Sequence, residues 1–432
     1  MICENLSISQ NGHLMFAGQD TTVLAQKYKT PLYLMDEERI RKNCRTYIDA
    51  MKNCFGENSY PLLASKAASF KQIYRIAKEE GMGIDVVSAG ELYTALSADF
   101  TAERIYFHGS NKTDAEIDFA IKNKIGYFVA DSLEEIEIID RTAESYGICQ
   151  KILLRITPGI DPHTYAAVAT GKVDSKFGFA IETGAADEAM RLAVSKKNIE
   201  ICGIHCHVGS QVFDSDVFFK SSRVMLEYAA HIKAEFGIEI KILNLGGGYG
   251  VRYVEEDPKI DIADNIAQVA DCVKKICEEL KMEVPQIRME PGRSIVADAG
   301  LTLYTVGVVK KIPEYKNYVS VDGGMTDNPR FALYGSKYTV FAANKMNEVC
   351  DFECTLAGRC CESGDIVQEG VSLPSGICRG DIVAVLTTGA YNYSMASNYN
   401  RVPRPPIVML DKGKDYVAVE RETFEDIISK DI

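Results

Sequence analysis

Eight alternations of a short apolar segment with a longer amphipathic one run from about residue 58 to residue 292, and this pattern constrains the fold most. The apolar segments are rich in β-branched residues and read SYPLLAS, GIDVVS, RIYFHG, GYFVAD, KILLRIT, EICGIHCHV, KILNLGG and PQIRMEPG. The amphipathic segments, such as FKQIYRIAKEEG, carry apolar residues at helical spacing. Eight parallel strands joined by crossover helices over roughly 240 residues predict a (β/α)8 TIM barrel.

The texture changes after Gly300, where LTLYTVGVVKKI, YKNYVSVDGG, DFECTLAG, DIVAVLTTGA and DYVAVERE alternate in the manner of strands without long helical patterns between them. The segments HLMFAG and PLYLMDEERI near the N-terminus also have strand character. We therefore expect an α/β chain in three parts. These are an N-terminal segment over 1–36, a barrel over 37–298, and a C-terminal all-β, Greek-key barrel-like domain over 299–432 that also takes in the N-terminal segment.

The amino-acid composition and net charge limit the kinds of molecule that this protein can bind. The 432 residues are 46% hydrophobic and 25% charged, which are ordinary values for a globular chain. The 48 basic and 61 acidic residues give a net charge of -13, which argues against nucleic acid or an anionic membrane as a partner. The sequence favours a small metabolite.

The sequence contains neither a signal-peptide pattern nor a membrane-span pattern, and this indicates the cellular compartment. The N-terminus MICENLSISQNGH has no basic region followed by an apolar one, and no apolar run approaches the roughly 18 residues of a membrane span. Thirteen cysteines occur without a C-x-x-C pair, so neither a disulfide framework nor a zinc ribbon is indicated. We expect a cytoplasmic protein.

Polar residues recur where the predicted strands end. In a TIM barrel the functional residues lie at the carboxyl ends of the strands. The residues at these ends are Lys66, Ser88, His108, Arg155, His207, the glycines from Gly246, and Glu290. A lysine such as Lys66, in LLASKAAS, often only marks a strand end in solvent, but this alignment favours a place at the mouth of a site.

Two of these ends suggest an anion site. The run NLGGGYG, from Asn244 to Gly250, follows the seventh strand, where barrels commonly bind phosphate, although a plain tight turn is the alternative. The next strand ends MEPGRS, with Glu290 three residues before Arg293. This pair can hold a ring nitrogen and an anion, or it can be an internal salt bridge worth about 0 to 1 kcal/mol.

The segment GIHCHVGSQ places His205 and His207 two residues apart, so both are predicted on one face of the sixth strand with Cys206 on the other. No third ligand has suitable spacing, and we expect no metal. A histidine stacked on a planar cofactor fits better. A phosphate cradle, a carboxylate for a ring nitrogen and a lysine able to form a Schiff base together predict pyridoxal 5'-phosphate (PLP) as cofactor.

These residues carry a resemblance over almost the whole chain. The sequence resembles the diaminopimelate decarboxylase family, fold-type III PLP enzymes of the alanine racemase and ornithine decarboxylase superfamily. The matching segments are the strand ending at Lys66, GIDVVSAGE, FHGSNK, HTYAAVATGKVDSKFG, HCHVGSQ, LGGGYG, MEPGR, CESGD and GAYNYSMASNYN.

The resemblance implies roles for the cofactor-binding residues. Lys66 would carry PLP, His207 would stack on its ring as a further catalytic residue, and Glu290 would pair with the pyridine nitrogen. The phosphate would be held by Ser210, Gly247, Gly248, the backbone from Gly292 to Arg293, and Tyr391.

It also implies the substrate contacts. Arg293, Arg330 and Tyr334 would bind the carboxylate at the non-reacting end of the substrate, with Tyr391 beside them. Cys361 would be supplied by the neighbouring subunit of a homodimer as the proton donor, with Glu362 binding a substrate amine. The sequence does not separate Cys360 from Cys361, and adjacency to Glu362 favours Cys361.

The activity implied is decarboxylation of meso-2,6-diaminoheptanedioate to L-lysine, the last step of lysine biosynthesis. Arginine at the distal end favours an anionic tail, whereas ornithine or lysine would need a carboxylate there. Two alternatives remain open. One is a related decarboxylase for another carboxylated amine such as carboxynorspermidine, and the other is a catalytically silent PLP-binding homologue.

Three positions depart from the family pattern. Ala68 stands where asparagine is usual, Arg359 where proline is usual, and Asn392 where glycine is usual. These departures bear on loop geometry and on the choice of substrate rather than on the cofactor.

Overall fold

The computed structural model describes residues 1–160 and 173–432. Their contacts divide the chain into two compact units. The barrel unit comprises Asn43–Gly250 and Ile260–Gly292, and the sheet unit comprises Met1–Lys42, Val251–Lys259 and Arg293–Ile432. The family segment HTYAAVATGKVDSKFG spans residues 163–178, and its residues 163–172 lie outside the described part of the chain.

The chain begins with a small sheet and two helices. The strands are β1 (Leu6–Ile8), β2 (Leu14–Phe16) and β3 (Gln19–Asp20), and α1 (Thr21–Tyr28), β4 (Leu32–Asp36) and α2 (Glu37–Phe55) follow. Asp20 begins α1 by accepting a hydrogen bond from the Thr22 N–H, an N-cap that satisfies one of the unpaired amides of the first turn.

Eight parallel strands form a closed barrel. They are β5 (Tyr60–Ala64), β6 (Gly83–Val86), β7 (Ile105–Phe107), β8 (Tyr127–Ala130), β9 (Gln150–Thr157), β11 (Ile199–His205), β12 (Ile242–Asn244) and β13 (Gln286–Met289), and the short β10 (Phe179–Ala180) adds to the edge of β9. Pairing runs in sequence order from β5 round to β13, which pairs with β5 again. All eight predicted strands and the TIM barrel are confirmed.

Helices follow the strands: α3 (Lys71–Glu79), α4 (Ala89–Leu96), α5 (Asp114–Lys122), α6 (Leu133–Tyr146), α7 (Ala185–Ser195), α8 (Ser215–Phe236) and α9 (Ile262–Leu280). Ser88 and Ser132 cap the first turns of α4 and α6. Gly147 ends α6 with φ at 64°, a left-handed conformation that glycine adopts without strain. Thus the strand-end polar residue Ser88 begins a helix.

A hydrophobic cluster of the barrel unit takes one side chain from each of six strands. These buried side chains are Leu62, Tyr106, Val129, Leu153, Cys202 and Ile242. Apolar burial of this kind stabilises the barrel as a packed core rather than a pore. A residue just past a strand end is therefore supported by rigid backbone beneath it.

The sheet unit contains α10 (Arg293–Val296), β14 (Gly300–Ile312), β15 (Lys316–Val321), α11 (Arg330–Tyr334), β16 (Val340–Ala342), β17 (Phe352–Ala357), β18 (Ile366–Leu373), β19 (Ile382–Leu386), β20 (Ile407–Asp411), β21 (Lys414–Val419) and α12 (Phe424–Ile428). One path through its sheet runs β18-β17-β15-β14-β4-β20-β21, with β19 paired to β14 and β16. The separate sheet domain is confirmed.

The N-terminal segment joins this sheet. Strand β4 pairs antiparallel with β14 and parallel with β20. Leucines of β4 and β14 share a core, since Leu32 and Leu34 pack with Leu301 and Leu303. The expectation that the N-terminus pairs into the β domain is confirmed. No helix within the described part of the chain is both long and apolar enough to cross a membrane.

Candidate active site

Lys66 lies two residues past the end of β5, in a 3-10 turn over Ser65–Ala67. Its side chain is exposed, while Ser65 and Ala67 on either side are buried. The turn is held by close packing, because a Cβ on Gly292 would lie 2.8 Å from the Ala64 Cβ and 2.9 Å from the Ala67 Cβ. The amine therefore extends from a rigid strand end.

Two acidic residues, the buried Asp85 and the partly buried Glu91, interact electrostatically with Lys66. Asp85 in β6 is 2% exposed, and burial together with the charge of Glu290 raises its pKa to about 6, against the opposing charges of His108 and Lys66. Burial raises the pKa of Glu91 to about 7, although Glu91 accepts a hydrogen bond from the Val87 N–H. Our sequence reasoning did not identify either residue, although an aspartate inside an apolar barrel strand was a signal.

Glu290, one residue past β13, is the centre of a buried polar cluster. Its Oε1 accepts a hydrogen bond of 2.7 Å from Asn244 Nδ2 and lies 3.0 Å from His108 Nε2. Its Oε2 lies 3.2 Å from His205 Nε2. All four side chains are less than a tenth exposed.

The cluster keeps Glu290 ionised. Burial alone would raise the pKa of Glu290, but His108 and His205 outweigh burial and hold this pKa well below its ordinary value. Burial lowers the pKa of His205 to about 4, so His205 is neutral at pH 7 and donates its Nε2–H to Glu290. A buried, ionised carboxylate is the group needed to stabilise a protonated ring nitrogen.

His108, His205 and Glu290 also bring possible metal-ligand atoms within 4.8 Å of one another. Of these contacts, His205 Nε2 is hydrogen-bonded to Glu290 Oε2 at 3.2 Å, and His108 Nε2 lies 3.0 Å from Glu290 Oε1. His205 and His207 were predicted on one face of the sixth strand, but β11 ends at His205 and His207 lies beyond the strand.

His207 contacts the glycine run after β12. Its Nδ1 accepts a hydrogen bond of 3.2 Å from the Gly247 N–H, which leaves the ring proton on Nε2. Burial and the charges of Lys66 and Arg155 hold the pKa of His207 well below its ordinary value. The structure therefore presents His207 as a neutral, oriented imidazole.

The glycines of the run are required by close backbone approach. A Cβ on Gly247 would lie 2.1 Å from the Glu290 carbonyl oxygen, and one on Gly248, whose φ is 132°, would lie 2.5 Å from the Gly209 carbonyl oxygen. The loop containing Ser210 packs against this run, since the Val212 N–H donates to the Gly248 carbonyl at 2.9 Å. Such a backbone without side chains suits an anion.

Arg155, predicted at a strand end, lies inside β9, where its guanidinium stacks 4.3 Å from the centre of the Phe177 ring. Lys112, the last residue of the segment FHGSNK, uses its amine for hydrogen bonds within the barrel unit. Its Nζ donates to Glu135 Oε1 at 2.7 Å and to the Val129 and Gly109 carbonyls. Lys112 therefore supports the barrel and is not a second candidate for the cofactor lysine.

The sheet unit holds the predicted residues for the distal carboxylate. Arg293 begins α10 and is 5% exposed, and its Nη1 donates to the Tyr253 hydroxyl at 2.6 Å. Its guanidinium lies 4.9 Å from the centre of the Tyr391 ring. Burial opposes the charge of Arg293, but Tyr253 and Tyr391 outweigh burial and raise the pKa of Arg293.

Arg330 approaches the same tyrosine. Its guanidinium lies 5.5 Å from the centre of the Tyr391 ring and 5.4 Å from that of Tyr334, and its Nη2 donates to Ser336 Oγ. Arg330 Nε is buried and has no hydrogen-bond acceptor among the described residues. Two buried guanidinium groups thus converge on Tyr391, whose backbone φ is 60°.

The segment CCESGD forms a loop around Asp365. The Asp365 carboxylate accepts hydrogen bonds of 2.6 Å from the backbone N–H groups of Cys360 and Met325. Cys361 and Glu362 are exposed, and the Cys361 N–H donates to Asn400 Oδ1 at 2.9 Å. Burial and the Asp365 carboxylate raise the pKa of Cys360 to about 11.

The three departures from the family pattern each have a structural setting. Ala68 is buried and donates its backbone N–H to the Ser65 carbonyl. Arg359 donates its N–H to the Gly323 carbonyl at 3.0 Å, a bond that proline cannot form. Asn392, with φ at -109°, is fully buried and donates its amide to the Thr388 carbonyl at 3.0 Å.

The sequence is similar to known pyridoxal-dependent decarboxylases over almost its whole length. Residues 38–297 match the model of the pyridoxal-dependent decarboxylase, pyridoxal binding domain. The chain is 44% identical over 423 residues to the diaminopimelate decarboxylase of Staphylococcus aureus (strain COL), covering 98% of each chain. It is 42% identical over 424 residues to that of Bacillus subtilis (strain 168), covering 98% of this chain and 96% of the relative.

Solved structures agree. The diaminopimelate decarboxylase of M. jannaschii in complex with L-lysine has a TM-score of 0.91 and 34% identity, with 100% of this chain and 98% of that chain covered. The pyridoxal match fits a barrel mouth with a projecting lysine, a buried ionised carboxylate and a glycine cradle. The chain belongs to the diaminopimelate decarboxylase family of pyridoxal-dependent decarboxylases.

Proposed function

We propose that this chain converts meso-2,6-diaminoheptanedioate to L-lysine and carbon dioxide, the last step of lysine biosynthesis, with PLP as cofactor. The observation that carries the proposal is the pair of buried arginines, Arg293 and Arg330, beside the Tyr391 ring. Two buried guanidinium groups suit a substrate that keeps a second carboxylate far from the reacting carbon. The L-lysine bound by the M. jannaschii relative has such a carboxylate.

The barrel residues fit the cofactor. Lys66 is the amine that would hold PLP covalently, and the backbone of Gly247, Gly248, Ser210 and Gly292 would bind its phosphate. Tyr391 and the Arg293 backbone are further proposed phosphate contacts. When bound, PLP supplies an electron sink for the carbanion left by decarboxylation.

The side chains then have separate tasks. Glu290, kept ionised by its cluster, would hold a proton on the ring nitrogen, and neutral His207 would pack on the ring face. Arg293, Arg330 and Tyr334 would orient the substrate by its distal carboxylate. Cys361 would return a proton to the reacting carbon, and Glu362 would bind the distal amine.

We propose a homodimer in which Cys361 and Glu362 serve the partner's cofactor site. Both side chains are exposed in the single chain, which leaves them accessible to a second subunit. We further propose a cytoplasmic location, no nucleic-acid partner, and domain boundaries at 36/37 and 298/299.

Carbon dioxide release tests the proposal. The purified protein with PLP is given meso-diaminopimelate, L-ornithine, L-lysine or carboxynorspermidine. We expect release from diaminopimelate alone, reduced about a thousandfold or more in Lys66→Ala because the covalent anchor is lost. Lys71→Ala, which changes an exposed lysine at the start of α3, should leave release unchanged.

Release from another substrate would keep the chemistry and overturn the substrate. Absorbance of bound PLP without release from any of the four would instead identify a silent PLP-binding homologue.

A further inference from the structure

The segment Val251–Lys259 lies between β12 and β13 in sequence but belongs to the sheet unit. It contains Tyr253, a tyrosine that the sequence reasoning did not select. Tyr253 is 7% exposed, and its hydroxyl oxygen accepts the 2.6 Å hydrogen bond from Arg293 Nη1. A charge-assisted bond this short to a buried guanidinium constrains the orientation of the guanidinium.

Tyr253 is itself held from several sides. Its backbone N–H donates to Asp257 Oδ2 at 2.9 Å, and its carbonyl accepts from the Thr339 hydroxyl at 2.9 Å and from the Thr339 N–H at 3.2 Å. Its ring packs edge-on against Tyr338 with centroids 5.3 Å apart. The hydroxyl is therefore a fixed point and not a mobile side chain that follows Arg293.

The chemistry of this partner matters for anion binding. A guanidinium has five N–H donors and a charge that a carboxylate partner would neutralise. A tyrosine hydroxyl takes one donor and leaves the positive charge in place. Tyr253 can thus orient Arg293 without reducing its attraction for a substrate carboxylate.

We propose that Tyr253 is a positioning residue that sets the orientation of Arg293 and thereby the affinity for the substrate's non-reacting carboxylate. The proposal rests on the proposed function and deepens its substrate recognition. Because the interaction concerns the end of the substrate that does not react, it predicts a change in KM more than in kcat.

The test compares two ligands of the PLP-loaded protein by titration calorimetry. L-lysine carries one carboxylate, and cadaverine is the same diamine without it. In Tyr253→Phe, which keeps the ring, we expect the Kd for lysine to rise about tenfold and the Kd for cadaverine to change less than twofold. Tyr318→Phe, which removes the hydroxyl of a half-buried tyrosine in β15, should change neither value.

A double-variant experiment tests whether Tyr253 acts through Arg293. With Arg293→Gln already present, adding Tyr253→Phe should have no further effect on the Kd for lysine. Equal losses of lysine and cadaverine affinity in Tyr253→Phe, an unchanged lysine affinity, or fully additive effects would each overturn the proposal.

The two proposals fail differently. Absence of carbon dioxide release from diaminopimelate by the wild-type protein would overturn the proposed function. A selective loss of lysine affinity in Tyr253→Phe measures carboxylate binding without turnover, so it would still support the role of Tyr253.

Discussion

Cys360 and Cys361 are adjacent in sequence but have different surroundings. Cys360 is partly buried, and the Asp365 carboxylate that accepts its backbone N–H also helps to raise its thiol pKa to about 11. Cys361 is exposed on the same loop, next to Glu362. Accessibility therefore favours Cys361 as the thiol that reaches a substrate.

We predict that Cys361→Ala lowers kcat about a hundredfold or more because the proton donor is lost, while Cys360→Ala lowers it less than fivefold. Steady-state decarboxylation with diaminopimelate measures both. Equal losses, or a greater loss in Cys360→Ala, would contradict the assignment.

Asp85 provides a second residue-level prediction, on pH. Its pKa is about 6 in the folded chain against an ordinary 3.8, so the folded state retains a proton that the unfolded state releases between these values. The folded protein is consequently less stable, relative to Asp85→Asn, as pH rises from about 4 to about 6. A shift of roughly two units corresponds to at most about 3 kcal/mol.

Urea unfolding of the PLP-free protein at pH 4 and pH 7 measures this difference. The stability of Asp85→Asn relative to wild type should increase between the two pH values, whereas that of Asp271→Asn, an exposed carboxylate on α9, should not. A pH-independent difference for Asp85→Asn would contradict the shifted pKa.

Sequence reasoning selected site residues that stand at strand ends or in glycine runs, such as Lys66, Glu290 and Gly247. It did not select Asp85, Asn244 or Tyr253. Their importance depends on contacts across the fold, since Asn244 reaches Glu290 from a neighbouring strand and Tyr253 reaches Arg293 across 40 positions of sequence. Spacing along the chain does not reveal such contacts.

At the scale of elements, Asp365 joins two loops of the sheet unit. Its carboxylate binds the backbone before Cys361 and the backbone at Met325, which leads to Arg330. Glycines pack against it, because a Cβ on Gly358 would lie 2.2 Å from its oxygens. The loop with the proposed proton donor and the loop before Arg330 therefore share one anchor.

We predict that Asp365→Asn destabilises the fold by about 1–3 kcal/mol, because one carboxylate oxygen is replaced by an amide facing an N–H donor. It should also lower kcat about tenfold through misplacement of Cys361. Chemical unfolding and steady-state kinetics give the two values.

Asp381→Asn is the matched control. Asp381 likewise accepts a backbone N–H, from Cys378 at 2.7 Å, and its other partners, Asn344 and Lys345, are not proposed site residues. The Asp381→Asn variant should be less stable than the wild type but should have the same kcat. A normal kcat in Asp365→Asn would show that its loop needs no such anchor.

The barrel strands were predictable from sequence because each is a short, mainly apolar and largely buried run. In the sheet unit, β1, β3, β16, β18 and β20 were not identified. Strand β16 has only three residues, and β18 reads IVQEGVSL, with exposed charge and glycine in its middle. The end of β11 was placed too late, because CHV continues the apolar pattern after the pairing stops at His205.

At the scale of the whole molecule, the proposed dimer makes a prediction about mixtures. Lys66→Ala and Cys361→Ala chains should each retain at most about a hundredth of wild-type activity alone. If Cys361 serves the partner's cofactor site, random reassociation gives mixed dimers with one intact site, and about a quarter of wild-type activity should return.

A mixture of Lys66→Ala with Glu290→Gln is the control, because both changes damage the same barrel site and no intact site can form. Carbon dioxide release after mixing and refolding gives the answer. No recovery with Cys361→Ala would mean that each chain uses its own Cys361.

The short excursion Val251–Lys259, which leaves the barrel unit and contributes Tyr253 to the sheet unit, has a consequence for heredity. Recombination exchanges contiguous stretches of a gene, and no contiguous stretch of this chain encodes either unit alone. A barrel transplanted from a relative would bring a foreign tyrosine loop to the resident arginine. Cofactor binding and substrate recognition are therefore expected to be inherited together, and related enzymes should change their substrate by point substitution more readily than by domain exchange.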